Sequence, residues 1–190
     1  MDKKDFLMPP GQRPSARLYP VSVFGKPKEI DTKKYRISIT GLIKEEKIFT
    51  LQDVYKLPKE VRQFDIHCVD GWSYLGQVSS GVSLAKLFKE VELTENGNFA
   101  LVKSIDGYTT DLPISFLLSD EVLLAYEMDG KPLEMANGYP LRLVVNGKYA
   151  YKDAKWVIGF EIMEKDRPGY WEEKGYSRNA DIYKNERKEI

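Results

Sequence analysis

The sequence predicts an α+β fold that consists mainly of short β-strands with a few short helices. Several short segments alternate apolar and polar side chains, as half-buried strands do. The segments with helical periodicity are short, and they occur among the strands in irregular order. The chain shows neither an internal repeat nor the regular strand–helix alternation of a doubly wound parallel sheet. These observations favour an α+β or mainly-β domain.

The two ends of the chain predict irregular segments around this domain. Prolines and glycines are frequent in residues 1–34, which indicates an extended arm. Its apolar anchors would be Leu18, Val21, Val23 and Phe24. Residues 164–190 are polar but contain aromatic side chains, so we expect this tail to wrap the surface and to dock through Tyr170, Trp171, Tyr176 and Tyr183. A length of 190 residues fits one domain that covers the whole chain, 1–190.

The elements between the arm and the tail are predicted from periodicity and capping signals. Tyr35, Ile37 and Ile39 share one face of the first predicted strand, 35–40. Thr50 is a suitable N-cap for a short helix that ends before Pro58. Asp-Gly at 129–130 and Asn-Gly at 146–147 are hairpin signals. Further strands are predicted at 61–68, 98–105, 121–128, 141–145 and 156–163, and short helices at 83–91 and 112–118.

Charge and composition exclude some classes of function. Lys and Arg total 29, Asp and Glu also total 29, and the net charge is +0. A general nucleic-acid binder would carry a basic excess, so we expect no nucleic-acid partner. No stretch approaches the length of apolar sequence that spans a membrane. The first residues lack the apolar core of a signal peptide, and a single cysteine suits a reducing compartment, so we expect a cytoplasmic protein.

Cys68 is the only cysteine of the chain. It ends a predicted strand and comes just before the turn signal Asp70-Gly71. A thiolate at a strand end, flanked by His67 and Asp70, could bind a soft metal. Free cysteine is also among the most buried residue types, so Cys68 could instead be a small core residue. The local sequence alone favours the core residue.

Motifs along nearly the whole chain resemble the sulfite oxidase family in sequence and in order. The stretch His-Cys-Val-Asp-Gly-Trp-Ser at 67–73, followed by Gly-Val at 81–82, resembles the segment that binds molybdenum in that family. Pro-Pro-Gly-Gln at 9–12 resembles the N-terminus of its small, single-domain bacterial and archaeal members. Further matching segments lie at 104–113, 123–133, 137–145, 154–156 and 169–176.

The resemblance implies a sulfite-oxidase-type molybdopterin-binding fold and a molybdenum cofactor, with tungsten as the less expected metal. The metal would be held by the dithiolene of molybdopterin and by the thiolate of Cys68. The implied activity is oxygen-atom transfer on a small substrate: reduction of an S-oxide or N-oxide, or oxidation of a small oxyanion. A separate electron-transfer protein would be needed, because the chain has no room for a haem domain. A non-catalytic protein that binds or carries the cofactor is the alternative.

The resemblance also implies roles for individual residues. Asn137 and Arg142 would hold the cofactor, and Lys155 would contact it from the turn Asp153-Ala154-Lys155. His67 would contact the pterin, and Ser104 would contact the cofactor. Tyr108 would donate a hydrogen bond to the bound oxygen or to the substrate, and it is the second catalytic candidate beside Cys68.

Each of these residues also has an ordinary structural interpretation. Arg142 could face solvent from its strand, and His67 could be a structural hydrogen-bonding residue. Tyr108, Ser104 and Lys155 could be ordinary residues at turns or strand ends. Asp70 fits a turn slightly better than a substrate funnel, and Arg62 could point at an anion or at solvent. Ser79 lies near the position of a family tryptophan, which could widen the mouth of the pocket. The arginine cluster that holds sulfite in sulfite oxidases is not evident, so sulfite is a doubtful substrate.

Overall fold

The computed structural model describes residues 8–188. The parts of the predicted arm and tail at 1–7 and 189–190 lie outside these residues. The strands are β1 (Arg13–Pro14), β2 (Arg36–Gly41), β3 (Lys47–Thr50), β4 (Glu60–His67), β5 (Trp72–Ser83), β6 (Phe99–Ser104), β7 (Thr109–Pro113), β8 (Val122–Met128), β9 (Lys131–Pro132), β10 (Arg142–Val145) and β11 (Val157–Met163). The α-helices are α1 (Leu51–Lys56), α2 (Leu84–Leu87) and α3 (Ile114–Leu117).

These strands form two sheets. The first has the order β1-β5-β8-β10, with β4 also paired to β5 and β9 to β8. The second has the order β3-β2-β11-β6-β7. The pairs β1–β5 and β2–β11 are parallel, and the other pairs are antiparallel. Mixed sheets with a few short helices confirm the predicted α+β fold class.

Apolar side chains from both sheets pack into one main core. The predicted alternation of the first strand is confirmed, since Ile37 and Ile39 of β2 are fully buried there. Leu124 of β8 and Phe160 of β11 lie in the same core, and Leu84 of α2 covers it. Burial of large apolar side chains of this kind is the main source of folding free energy.

The helix α1 begins where its capping signal predicts. The Thr50 side chain accepts the Asp53 backbone N–H, and the Asp53 side chain accepts the Thr50 backbone N–H, which makes a complete capping box. The other two predicted helices are shorter than expected. Helix α2 turns into a 3-10 helix, Phe88–Glu90, after one turn. Strand β7 continues to Pro113, so α3 contains only Ile114–Leu117.

The longest strand was not predicted from the sequence. Strand β5 is rich in serine and glycine and has no clear apolar alternation, yet it pairs with β4, β8 and β1. A Cβ at Gly81 would lie 2.1 Å from the carbonyl oxygen of Leu124, so the close approach of β5 and β8 requires glycine. The glycine that interrupts the apolar pattern of β5 is therefore needed where this strand packs against β8.

One of the two predicted hairpins is wrong, and one predicted strand is irregular. Asn146-Gly147 leads into a 3-10 helix, Ala150–Lys152, and not into a returning strand. Asp129-Gly130 does join β8 to β9 as predicted. Trp156 has a positive φ of 52° and lies before β11, and the pairing of β11 shifts register between Val157 and Gly159. The alternation predicted from Trp156 is therefore interrupted.

The arm and the tail both lie against the sheets. β1 of the arm pairs with the start of β5. Val21 and Phe24 are 61% and 51% exposed, so these two predicted anchors are not buried. In the tail, Trp171 and Tyr176 pack on a small apolar cluster, whereas Tyr183 is 60% exposed. Within residues 8–188 we find no helix that is long and apolar enough to cross a membrane.

Candidate cofactor-binding site

A cavity of about 270 Å³ lies between the arm, the turn after β4 and the start of β10. Its walls come from distant parts of the sequence. They include residues 18–23 of the arm, Cys68, Asp70, Trp72, Asp106, Tyr108, Asn137, Arg142, Tyr151, Asp153, Lys155, Trp156, Trp171 and Tyr176. Its volume is near the lower end of the range that is typical of small-molecule sites.

Cys68 enters this cavity from a tight turn. The Cys68 N–H donates to the Trp72 carbonyl at 2.9 Å, and the Gly71 N–H donates to the Cys68 carbonyl at 3.0 Å. Gly71 has a positive φ of 90°, which glycine adopts without strain. Burial raises the pKa of the Cys68 thiol to about 11. The free thiol is therefore protonated at neutral pH, and a metal ion that binds it must displace this proton.

Arg142 is a buried cation with long hydrogen bonds. Its side chain is only 5% exposed. Its guanidinium lies 3.3 Å from the Asn137 carbonyl, 3.4 Å from the Leu143 carbonyl and 3.5 Å from a carboxylate oxygen of Asp153. Well-formed N–H···O bonds are 2.7–3.2 Å long. The buried charge therefore has little compensation from the protein beside the cavity.

Asp153 compensates this charge only in part. Burial raises the pKa of the Asp153 carboxyl to about 7, although the neighbouring Arg142 acts to lower it. Its other oxygen accepts the Val145 backbone N–H at 2.9 Å. Burial therefore favours the protonated form of Asp153, which cannot neutralise Arg142.

Two more polar side chains complete this side of the cavity. The side-chain oxygen of Asn137 is buried and has no hydrogen-bond partner within the described residues. The Lys155 ammonium donates to the Val21 carbonyl at 2.6 Å and to the Ala136 carbonyl at 3.1 Å, so it links the arm to the cavity wall. Burial and the charge of Arg142 lower the pKa of Lys155 to about 8.

These groups define the ligand that the cavity suits. The poorly compensated charge of Arg142, with the ammonium of Lys155 beside it, favours an anion, and the unpaired amide oxygen of Asn137 favours a polar ring system. No group of three or more His, Cys, Asp or Glu side chains that could hold a metal ion occurs in the described part of the chain. A metal beside Cys68 would therefore take most of its ligands from a non-protein group.

A comparison with known protein families identifies such a group. Residues 24–171 match the family described as the oxidoreductase molybdopterin binding domain. The chain belongs to this family. Membership in the sulfite oxidase family, which the sequence motifs predict, is thereby confirmed, and molybdopterin is the family's cofactor.

Relatives of this family differ in length. The chain is 32% identical over 180 residues to the uncharacterized oxidoreductase YuiH of Bacillus subtilis, which covers 95% of this chain and 91% of that protein. It is 28% identical to the putative protein-methionine-sulfoxide reductase subunit YedZ1 of Azospira oryzae, over 85% of this chain and 66% of that protein. It is 30% identical to the protein-methionine-sulfoxide reductase catalytic subunit MsrP of Campylobacter jejuni, over 75% of this chain and 53% of that protein. The chain thus spans between half and two thirds of these two reductase subunits.

A solved structure has the same fold. The crystal structure of the sulfane dehydrogenase SoxCD from Paracoccus pantotrophus aligns with a TM-score of 0.65 and 24% sequence identity. The alignment covers 72% of this chain and 40% of the other. At this identity the likeness concerns the fold, and it agrees with the sulfite-oxidase-type fold that the family predicts.

The structure brings six of the predicted site residues together at the cavity: Cys68, Tyr108, Asn137, Arg142, Asp153 and Lys155. Three others do not line the cavity. His67 is buried and pairs through Nδ1 with the Ser73 hydroxyl at 2.7 Å. The Ser104 hydroxyl is buried without a partner among the described residues, and Ala154 is in the main core. Contact of these three residues with the cofactor stays a prediction.

Tyr108 lies at the cavity, but its hydroxyl is already engaged. It donates a hydrogen bond to the Tyr151 carbonyl. Burial raises the pKa of the Tyr108 phenol, so the hydroxyl remains protonated. Its predicted donation to a substrate therefore requires this bond to break. The catalytic role of Tyr108 stays a prediction.

The structure also shows the surroundings of Asp70, Arg62 and Ser79, whose roles the sequence left open. Asp70 belongs to the turn and also lines the cavity, and its place in a substrate funnel stays a prediction. Arg62 is a structural residue, since it pairs with Glu60 and donates to the carbonyl of Val122 at 3.1 Å. Ser79 is buried in β5, and its hydroxyl has no partner in the described residues.

Several cavity residues were not predicted from the sequence. Leu18, Val21 and Val23 were expected to anchor the arm, but residues 18–23 form one wall of the cavity. Trp72, Trp156, Trp171 and Tyr176 also line it. The high aromatic content is the one sequence signal for them, since it is typical of a lined pocket as well as of a core.

Proposed function

We propose that the protein is a molybdopterin-dependent oxidoreductase that transfers an oxygen atom between water and a small substrate. The observation that carries the proposal is the cavity itself. It combines the lone thiol of Cys68 with the poorly compensated charge of Arg142 and the unpaired amide oxygen of Asn137. A metal-bearing, anionic, polar ring system satisfies all three groups at once.

In this proposal each side chain has a defined task. The Cys68 thiolate is the one protein ligand of the metal. Arg142 and Lys155 bind the phosphate of the cofactor, and Asn137 binds the pterin. When bound, the cofactor supplies the two-electron redox chemistry and the site of oxygen transfer. The arm residues 18–23 keep water from that side of the cavity.

The lining of the cavity favours a neutral substrate. Apart from Arg142 and Lys155, its charged residues in the described chain are Asp70, Asp106 and Asp153. Carboxylates repel an oxyanion such as sulfite, and the two cations are assigned to the cofactor. An S-oxide or N-oxide therefore fits better, which agrees with the description of two relatives as protein-methionine-sulfoxide reductase subunits. A separate electron-transfer protein would supply the electrons.

The first experiment determines whether the cofactor binds. The protein is purified from a host that makes molybdopterin, and its molybdenum, tungsten and pterin contents are measured. We expect stoichiometric molybdenum and pterin in the wild type, and loss of molybdenum in Cys68→Ser. Arg62→Gln is the control, because Arg62 is structural and lies outside the cavity. Unchanged molybdenum in Cys68→Ser would overturn the assignment of the thiolate.

The second experiment addresses catalysis. The loaded protein is assayed with S-oxides and N-oxides and a reduced dye as electron donor, and with sulfite and an oxidised dye as acceptor. We expect turnover with a neutral oxide. Full cofactor content without turnover in any of these assays would favour a non-catalytic cofactor carrier instead. A cytoplasmic location stays a prediction that this experiment does not address.

A further inference from the structure

The two ends of the described chain meet at the Cys68 turn. Residues 9–12 approach it from the arm, and Arg187 approaches it from the tail. Arg187 and Pro10 are 177 positions apart in the sequence, yet their atoms lie 3.4 Å apart. The arm also contains the motif Pro-Pro-Gly-Gln at 9–12, to which the proposed function assigns no role.

Gln12 holds both sides of the turn. Its side-chain nitrogen donates to the Cys68 carbonyl at 3.0 Å, and its side-chain oxygen accepts the Ser73 hydroxyl at 3.0 Å. Since that hydroxyl has one hydrogen and gives it to Gln12, it must accept the hydrogen of His67 Nδ1, which lies 2.7 Å away. Gln12 thus connects the residue before Cys68, Cys68 itself and the strand after the turn.

Arg187 holds the same turn from the tail. Its guanidinium donates to the Gly11 carbonyl at 3.0 Å and to the Val69 carbonyl. Its Nε donates to the Asn185 side chain at 2.8 Å, and the guanidinium lies 5.4 Å from the ring centre of Tyr149. A planar guanidinium with several donors can bridge carbonyls in this way, whereas an ammonium cannot reproduce the geometry.

The backbones of the arm and the turn are in close contact. A Cβ on Gly71 would lie 3.0 Å from the Gly11 carbonyl oxygen, and a Cβ on Gly11 would lie 2.8 Å from an Arg187 nitrogen. The Arg13 backbone N–H donates to the Gly71 carbonyl at 2.9 Å. The arm therefore packs on the turn without room for side chains at either glycine.

We propose that Gln12 and Arg187 are positioning residues that fix the Cys68 turn and thereby the direction of the Cys68 thiol. Residues that orient a metal ligand from outside commonly tune the metal. The importance of this clamp for the metal rests on the proposed function. Its effect on the thiol does not, because the contacts exist without the cofactor.

The test uses the single cysteine as a reporter. Cofactor-free protein is alkylated with iodoacetamide at one pH, and the rate is followed by mass spectrometry. Gln12→Leu and Arg187→Lys both preserve charge, so they leave the electrostatics of the thiol largely unchanged. We expect each variant to be alkylated about fivefold faster, the factor that one ordinary hydrogen bond is worth. Gln63→Leu and Arg13→Lys are the matched controls, and we expect wild-type rates for both.

A spectroscopic readout then separates positioning from simple stability. The molybdenum-loaded Gln12→Leu protein should show a shifted electron paramagnetic resonance spectrum, while its thermal unfolding midpoint stays close to that of Gln63→Leu. If Gln12→Leu does not fold, Arg187→Lys is measured in its place.

Wild-type alkylation rates in both clamp variants would overturn the proposal. An unchanged spectrum in loaded Gln12→Leu would overturn its extension to the metal. Faster alkylation in a protein that never takes up molybdenum would support the clamp and refute the proposed function, so the two failures are distinct.

Discussion

Two buried groups of charged residues in this protein differ in how far the chain satisfies them. The tail cluster consists of Asp111, Lys152 and Glu172, and it joins β7 to the C-terminal tail. The cavity cluster consists of Arg142 and Asp153, and it lies beside Asn137 and Lys155. Both clusters are almost inaccessible to solvent.

The tail cluster has short hydrogen bonds. The Lys152 ammonium lies 2.6 Å from Glu172 Oε1, 2.9 Å from the Asp111 carbonyl and 3.2 Å from Asp111 Oδ1. These contacts use all three donors of the ammonium. The Thr110 hydroxyl also donates to Glu172 Oε1 at 2.6 Å. Of the cluster's side-chain atoms, only Glu172 Oε2 lacks a partner within the described residues.

In the cavity cluster, Arg142 makes no hydrogen bond as short as these. Its shortest hydrogen bond, to the Asn137 carbonyl, is 3.3 Å long. The comparison shows how to distinguish a structural ion pair from a binding group. A buried charge whose donors are filled by the chain holds the chain together. A buried charge with long contacts, next to a cavity, has donors that remain for a ligand.

The largest effect is expected when the tail cluster loses its cation. Lys152→Met leaves the buried Glu172 carboxylate without its cation and leaves Asp111 only its 3.4 Å contact with Arg178, so we expect the free energy of unfolding to fall by about 3–5 kcal/mol. Denaturant titration measures it. Lys103→Met breaks the more exposed pair with Glu161 and should cost less than about 1 kcal/mol. Equal losses in the two variants would contradict the structural role of the tail cluster.

Loss of the cation of the cavity cluster should mainly weaken cofactor binding and should lower stability less. In Arg142→Met the cofactor loses a charge-assisted partner, worth about 1.5–3 kcal/mol, so pterin retention should fall at least about tenfold. The unfolding free energy of the cofactor-free protein should fall by less than in Lys152→Met. Pterin content and denaturant titration check both statements, with the exposed Arg36→Met as control. Wild-type pterin retention would show that Arg142 is not a cofactor ligand.

The third prediction concerns pH. The Asp153 carboxyl has a pKa of about 7 in the folded protein, above the ordinary value of 3.8. Between these values the folded state binds a proton at Asp153 that the unfolded state has released, so the contribution of Asp153 to stability falls as pH rises from about 4 through 7. Relative to Asp153→Asn, cofactor-free wild type should lose at least about 1.4 kcal/mol over this range, the equivalent of one pKa unit. Parallel pH curves for the two proteins would contradict the prediction.

The smallest effect is expected at the edge of the tail cluster. Thr110→Val keeps the shape of the side chain and removes one hydrogen bond to Glu172. We expect a loss of about 1 kcal/mol in the unfolding free energy, because Lys152 still pairs with the same carboxylate. A loss as large as that of Lys152→Met would mean that the hydroxyl, and not the ammonium, holds the cluster.

Much of the fold could be predicted because local patterns agree with the tertiary structure. The alternation in β2, the capping box of α1 and the Asp129-Gly130 turn are decided by neighbours in sequence. Strand β5 was not predicted, because its sequence lacks apolar alternation and its pairing with β1 and β8 involves partners that are distant in sequence. Asn146-Gly147 forms a turn, but the path of the chain after this turn depends on contacts between Tyr149 and the tail, which is distant in sequence.

The candidate site follows the same division. Ordered motifs pointed to Cys68, Arg142, Asn137 and Lys155, and the structure places these residues around one cavity. Sequence could not show that the Tyr108 hydroxyl is bound by the Tyr151 carbonyl. Nor could it show that the arm forms one wall of the cavity, since both facts depend on contacts between distant segments.

The sequence by itself determined the family, the fold class and the chemical types of the candidate ligands, because these depend on residue identity and order along the chain. Only the tertiary structure decided which buried charges are already paired. It also decided that Gln12 and Arg187 meet at the Cys68 turn. The reason is that hydrogen bonds form over about 3 Å and depend on positions in space. No pattern along the chain shows that two residues more than 170 positions apart will both donate to backbone carbonyls at the same turn.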